Sequence, residues 1–524
     1  MKISVLAMSG RMPGIGTFSR TLIVGLWMLA GARSEAYTGS QGLPPVASQA
    51  RLAWQFAYDD AGTIKELIDP GGRRTRLHYE HDDEHRLFRL TKEFPGGAKV
   101  MLEFDRFGRR TAMTDAAGTV RYEYDGFHRL TGVHREGSRA LAYTYDTLNR
   151  LTSVSLDSQT ITRYSYDFLG RLAQTDTPVG NISYDYQSTH RTIIRTLPNG
   201  IRTFREFRPD GRLDSITHVA KDDHVLARFT YAYRPDDLVR EIKEWFPEGE
   251  RIEKCEYDTA HRLVSFTDSE KGQYRYRYDK LGHLIAFSAP GQNGIESAFD
   301  WAGRLVRYNG EKSVYDSVGN IAGYTRERGK VGFTYTPEQA LETAQTHQTT
   351  VRYAYDGDGG LISRRLGSAA TEFIPDPLSD AWRPLFATHA NGEHELYIWD
   401  GAFPLATIYG GEVRFFLHDF LGSVRLVADR DGRIIQRFDY TPFGTPLSLA
   451  NHLAAGAGLH SAFAGWFLDP IPALYLTGDG AYDPKLGRRL QHPLLNQAAI
   501  SPSLGGTLGE GEMRGKHHLL RKDN

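Results

Sequence analysis

The chain has 524 residues, with 63 basic against 64 acidic side chains, 54 glycines, 28 tyrosines and a single cysteine; 40% of residues are hydrophobic and 12% aromatic. A formal charge of −1 supplies no field to hold a polyanion, so no nucleic-acid partner is expected, and one cysteine excludes an intrachain disulfide, a thiolate zinc site and a CxxC redox pair. The length predicts a few units of about 150 residues, or one large β assembly.

At the amino terminus Lys2, Arg11 and Arg20 precede the apolar run Thr21 to Ala32, and ARSEA follows. This order predicts a secretory signal over residues 1–36, cleaved after Ala32 or Ala36, with a linker at 37–50. The run is about 12 residues long, short of the ~18–20 that span a bilayer, so membrane attachment is expected only through an uncleaved signal.

Next comes a repeat. YEYDGFHRL (Tyr122 to Leu130), YTYDTLNRL (Tyr143 to Leu151) and YSYDFLGRL (Tyr164 to Leu172) follow one another at 21-residue offsets. CEYDTAHRL, YRYDKLGHL and SAFDWAGRL place Asp258, Asp279 and Asp300 at the same interval, and Asp59, Asp105, Asp316 and Asp356 complete ten aromatic-Asp units with Asp125, Asp146 and Asp167. Degenerate copies, such as Tyr79 to Leu87 and Phe207 to Leu213, fill most of the span between.

Each unit has a physical reading. The residues before the Asp alternate aromatic with polar, so Tyr122 and Tyr124 share one face of a strand. Asp favours the first position of a β-turn because its carboxylate accepts from the backbone N–H two residues on. Three residues later stand Gly108, His128, Asn149, Gly170, His261, Gly282, Gly303 and Gly319, residue types that tolerate positive φ. A second strand then opens on Arg-Leu. Such units predict a sheet of roughly 25–30 strands, and a sheet of that width must curl or close because every strand pair adds twist. The expected fold is therefore all-β, a coiled, barrel-like shell in which the repeated Tyr and Asp are scaffold.

Other clusters are weaker. His78 to Leu87 (HYEHDDEHRL) and the DGDGG run from Asp356 carry metal-capable side chains without a second ligand cluster or a bidentate Glu at the right distance; both are read as turns, and neither a metal nor a cofactor is expected. Cys255 is read as a small, partly buried residue.

The Y-x-Y-D-x-x-G-R-L pattern resembles the YD repeats of RHS proteins, of the C component of insecticidal toxin complexes and of the teneurin YD shell. Phe415 to Leu447 is similar to the start of the RHS-repeat-associated core domain, with Asp419, Leu421-Gly422-Ser423, Arg425, Asp431-Gly432 and Pro442-Phe443-Gly444 in the family's places. Phe463 to Leu495 is similar to its closing segment. The resemblance implies a hollow, cocoon-like shell over residues 51–400, capped by a core domain at 401–495, with a short polar tail at 496–524.

It also implies that the core can act as an aspartyl autoprotease, using two carboxylates and an Arg, to free an enclosed polypeptide. Arg488 matches that Arg. Several positions depart from the pattern: His492 stands where an Asp is expected, Arg489 replaces Phe, Ile471-Pro472-Ala473 replaces the usual Thr-Gly, and Gly480 stands where Arg is common. No D-P-x-G-L cleavage motif follows. The expectation is a monomeric, secreted, periplasmic or cell-surface container without its own toxin domain, acting in intercellular or host interaction, and not an enzyme. The alternatives are a carbohydrate- or cell-surface-binding repeat module and a residual autoprotease. The expected partner is an enclosed polypeptide or a cell-surface glycan.

Overall fold

The computed structural model describes residues 54–491 except 61, 301–302, 327–328, 380, 402, 449–459 and 478–479. The expected signal, the linker, the polar tail and His492 lie outside the described residues. Among these residues there are 43 β-strands and two short 3-10 segments, and no α-helix. No helix among them is long and apolar enough to cross a membrane.

The described residues divide into two compact units, one up to Ile161 together with the turn Asp356–Asp358, the other from Thr162 to Tyr355 and from Gly359 on. In the first unit successive strands pair antiparallel, as Arg110–Asp115 with Gly118–Tyr124 and Gly118–Tyr124 with Leu130–Arg135. Its core is one face of this ladder: Leu90, Val100, Leu102, Met113, Val120 and Tyr122 pack together. The turn at 356–358 fits closely here. Gly357 N–H donates to Asp115 Oδ2 at 2.9 Å, Arg110 Nη1 reaches Asp358 Oδ1 at 2.6 Å, and a Cβ on Gly357 would stand 2.7 Å from Val100 Cγ1.

The second unit continues the same meander. A thirteen-stranded antiparallel sheet runs from Val314 to Arg437, and its ladder passes through residue 400 without a break because His394–Asp400 pairs with Phe403–Tyr409. A separate five-stranded sheet follows, from His460 to Arg489. The main core lies between repeat strands and the later sheet. Ile216, Phe229, Tyr231, Ile242, Phe266 and Tyr276 from the repeats meet Ile398, Leu405, Phe415, Leu417, Leu426 and Phe443.

One irregularity recurs. Where a strand enters its turn, the register slips by one residue: Glu123 faces Gly132 but Tyr124 faces Leu130, and the same slip occurs at Glu103/Phe104, Ser165/Tyr166, Glu256/Tyr257 and Arg277/Tyr278. Such a bulge adds an unpaired residue and increases local right-handed twist.

Candidate functional site

The repeated Asp side chains organise their turns in one way. Asp125 Oδ1 accepts from Phe127 N–H at 2.9 Å and Arg129 N–H at 3.0 Å, while Oδ2 takes Arg129 Nε at 2.7 Å. The backbone closes the loop through Asp125 N–H to Arg129 O and His128 N–H to Asp125 O. Asp105, Asp146, Asp167 and Asp258 repeat this arrangement with Arg109, Arg150, Arg171 and Arg262. Asp279 uses His283 at 2.7 Å and Asp316 uses Asn320 at 2.8 Å in place of Arg. Asp300 holds Arg304 Nε at 2.7 Å, Asp59 accepts from Thr63 N–H at 2.8 Å, and Asp356 accepts from Asp358 N–H at 3.0 Å. His128, Asn149 and His261 take φ of 64°, 64° and 61° at the third position. Asp82, in the HYEHDDEHRL cluster, holds Arg86 in the same manner, so that cluster is one more turn.

Neighbouring repeats are tied by the same residues. Arg129 Nη1 donates to Asp146 O at 2.9 Å, its guanidinium lies 4.8 Å from the Tyr145 ring, and Tyr145 Oη donates back to Leu130 O at 2.8 Å. Arg171 with Tyr186 and Arg262 with Tyr278 show the same stacking at 4.3 and 4.8 Å. A cation over a ring is worth about 0.5–1 kcal/mol, so each link is small and the stack is strong by repetition.

The closing sheet carries two buried acids. Asp469 is gripped by Arg364 through Nε and Nη2 at 2.6 and 2.8 Å, and Tyr353 Oη donates to it at 2.7 Å. Asp483 is held by Arg326 and by the Tyr324 hydroxyl. Arg326 also donates to Pro472 O. Both acids are completely buried. Each therefore joins the five-stranded sheet to a repeat strand by a Tyr-Asp-Arg clamp. Arg488 lies directly across the ladder from Asp483, but its side-chain contacts are elsewhere: Nη2 is 3.5 Å from Gly303 O, the guanidinium is 5.4 Å from the Phe299 ring, and burial lowers its pKa. The cations that serve the two acids are Arg364 and Arg326.

A second charged cluster seats the segment around Arg425. Arg425 reaches both oxygens of Glu244 at 2.6 and 2.9 Å, Asp439 Oδ1 at 2.7 Å and Phe438 O at 3.1 Å. Arg251 pairs with Glu244 and lies 3.2 Å from Asp439 and 3.3 Å from Glu253. The environments separate the acids. Burial alone would raise Glu244 and Asp439, but Arg425 foremost holds both below the usual carboxylate range. Burial, then Glu244, pushes Glu253 well up, and burial raises Asp419 to about 6 against the pull of Arg425. The cavity beside these groups measures about 50 Å³, room for water and not for a peptide. Among the described residues no group of three or more His, Cys, Asp or Glu is arranged to hold a metal. Cys255 is buried, and burial pushes its thiol far up.

The family described as Teneurin YD-shell matches residues 219–500, more than half of the chain, and RHS Repeat matches residues 104–140 and 145–182. The chain belongs to the teneurin YD-shell family. Teneurin-m of Drosophila melanogaster is 20% identical over 453 residues, covering 83% of this chain and 15% of the relative. Double-stranded DNA deaminase toxin A of Burkholderia cenocepacia (strain H111) is 25% identical over 285 residues, 44% of this chain and 20% of the relative. The solved TcdB2-TccC3-Cdc42 structure is similar at a TM-score of 0.69 and 17% identity, covering 84% of this chain and 26% of that one. This YD-shell chain thus spans a fifth or less of these two curated relatives. The likeness shows the fold, an all-β YD-repeat shell with RHS repeats.

Some site residues carry no sequence signal as single positions. Arg326, Arg364, Glu244 and Arg251 sit in repeat strands and acquire partners 105 to 188 residues away. Asp483 stands in the sequence as the Asp of Tyr482-Asp483-Pro484, within the stretch that resembles the closing segment of the core domain. Turns without Asp, such as those opened by Leu197, Ala220 and Arg234, have the same backbone closure and escape an aromatic-Asp search.

Proposed function

We propose that the chain is a secreted or surface-exposed shell protein that encloses a polypeptide and acts between cells or toward a host, in the manner of polymorphic toxins. The observation that carries this reading is the pair of buried Tyr-Asp-Arg clamps, Tyr353-Asp469-Arg364 and Tyr324-Asp483-Arg326, which fasten the closing sheet to repeat strands. A closure fixed by buried ion pairs suits containment. It suits catalysis less, because Asp469 has both oxygens committed to Arg364 and one also to Tyr353. The chain is accordingly proposed not to be an enzyme.

The test is protease protection. A short cleavable peptide fused after Asn524 of the full chain is expected to resist a soluble protease until urea unfolds the shell. Cleavage at the rate of the free peptide would sink the reading. Intact mass of the same sample tests the absence of self-cleavage, since a second species cut near residue 495 would assign the chain a protease activity.

A second reading has one observation in its favour. Phe107 and Phe127 occupy equivalent turn positions in the first unit and are 54% and 74% exposed, each with an arginine over its ring. Aromatic rings with flanking cations suit a glycan or a cell-surface partner. Glycan-array binding by the full chain that disappears in a Phe107→Ser, Phe127→Ser variant is the expected result for that reading. Unchanged binding, or none, removes it.

A further inference from the structure

A second buried cluster in the later unit takes no part in the contacts above. Tyr184 pairs with Arg195, Arg195 with Thr203 and Thr203 with His218 across four adjacent strands. Residues directly opposite in an antiparallel ladder share a face, so these four side chains form one row. Strands His394–Asp400 and Glu412–His418 bring Asp400 and His418 to it.

The hydrogen bonds fix the protonation. Arg195 Nη1 donates to Asp400 Oδ2 at 2.7 Å. His218 Nε2 lies 3.1 Å from His418 O, and Nδ1 lies 3.0 Å from Thr203 Oγ1. A carbonyl oxygen only accepts, so Nε2 carries the proton and the Thr203 hydroxyl donates to Nδ1. Burial first, then the Arg195 guanidinium, pushes the His218 imidazole down to about 3; burial, Arg195 and Arg205 hold His418 well below its usual value. Both rings are neutral at ordinary pH.

The charges do not balance. The Asp400 carboxylate is the anion that faces both the Arg195 and the Arg205 guanidinium, and burial, then Arg195, lowers the pKa of Arg205, the mark of a guanidinium short of counter-charge. The next acids, around Arg425, stand beyond the Phe229 ring, which meets His218 at 6.2 Å between centroids and lies 5.1 Å from the Arg425 guanidinium. Donors are also left over. Arg195 is 5% exposed, yet its Nε and Nη2 have no partner, and neither ring nitrogen of His418, 2% exposed, has one. Nε and Nη2 form the edge of a guanidinium with which Arg364 grips Asp469. A water could satisfy the N–H groups but not the surplus charge, which low dielectric makes costly to leave alone.

We propose that this cluster binds one small monovalent inorganic anion of chloride size, held by the free Nε–Nη2 edge of Arg195 and the imidazole N–H of His418, and neutralised against Arg205. Bromide is the probe. In crystals of the full chain grown with bromide replacing chloride, an anomalous peak is expected about 3.3 Å from Arg195 Nη2. In solution at fixed ionic strength, the unfolding midpoint is expected to rise about 2 °C per tenfold increase in chloride over gluconate, an anion too large for the site. Arg205→Met, which leaves the Arg195 edge in place, is expected to abolish that dependence. A water or empty density at the Arg195 edge overturns the proposal, as does a midpoint that is the same in chloride and gluconate. Should Arg205→Met fail to fold, the bromide peak in the unaltered chain decides alone.

Discussion

Ala473 holds a left-handed backbone, φ 52°, immediately before the buried strand Leu474–Thr477. An L-residue there costs about 1–2 kcal/mol relative to glycine in the folded state, and glycine gives back part of that in chain entropy. Ala473→Gly is therefore expected to stabilise the chain by about 1 kcal/mol, read as a rise in the urea midpoint at unchanged slope. The position was legible: the family pattern has glycine there, and the structure supplies the reason. Asp419 gives a second expectation. Its folded pKa is about 6 against an ordinary 3.8, so the fold holds this proton more tightly than the unfolded chain does. That contribution is complete below about 4 and is lost as pH rises through 6. Asp419→Asn, which can still accept the N–H groups of Leu421 and Ser423, should lose this dependence. Between pH 7 and 4 the unaltered chain is expected to gain about 2 kcal/mol on the variant, measured by denaturant unfolding at each pH. The comparison with a variant is needed because the lowered imidazoles of His218 and His418 act in the opposite direction, losing stability as pH falls below 6.5.

At the scale of one repeat, the carboxylate and its turn form a closed circuit. Asp125→Ala removes the acceptor for two backbone N–H groups and the anchor for Arg129. The expected loss is about 2 kcal/mol, with faster hydrogen exchange at Phe127 and Arg129 than at the corresponding Leu148 and Arg150 of the next turn. Equal exchange in both turns would mean that the backbone closure needs no carboxylate. This level of the structure was the most legible in the sequence, because period, turn residue and positive-φ position all recur within seven residues. The Arg of Arg-Leu was legible only as the start of a strand. Its grip on Asp lies four residues back within the same turn, but its stacking on the next tyrosine and its reach to the next carbonyl depend on a neighbour 15 to 17 residues away, which local spacing does not reveal.

For the molecule as a whole, the buried clamps set what the later unit can tolerate. Arg364→Met leaves Asp469 in the interior without its cation, with only the Tyr353 hydroxyl and the Ile471 N–H still donating to it, and is expected to cost about 3–5 kcal/mol; adding Asp469→Leu should restore most of it, because the penalty is that of a buried charge without a counter-charge. Denaturant curves of the two singles and the double give the coupling, and strict additivity would refute this account. Arg488 shows where sequence reading stops. Its motif was recognisable, but which arginine meets which acid was set by strands more than a hundred positions apart, and those arginines look like ordinary repeat residues.

The register slip at the aromatic-Asp turns means that strand alignment is reset once per such repeat and is not inherited from the repeat before. Excision of residues 126–146 would follow Asp125 with Thr147, Leu148, Asn149 and Arg150, a complete turn, and would leave Arg109 facing the same carbonyl of Asp125. It removes two strands, so the alternation of strand direction survives. Length in this protein can change in whole units of 21 residues, a grammar in which clauses are deleted but single words are not.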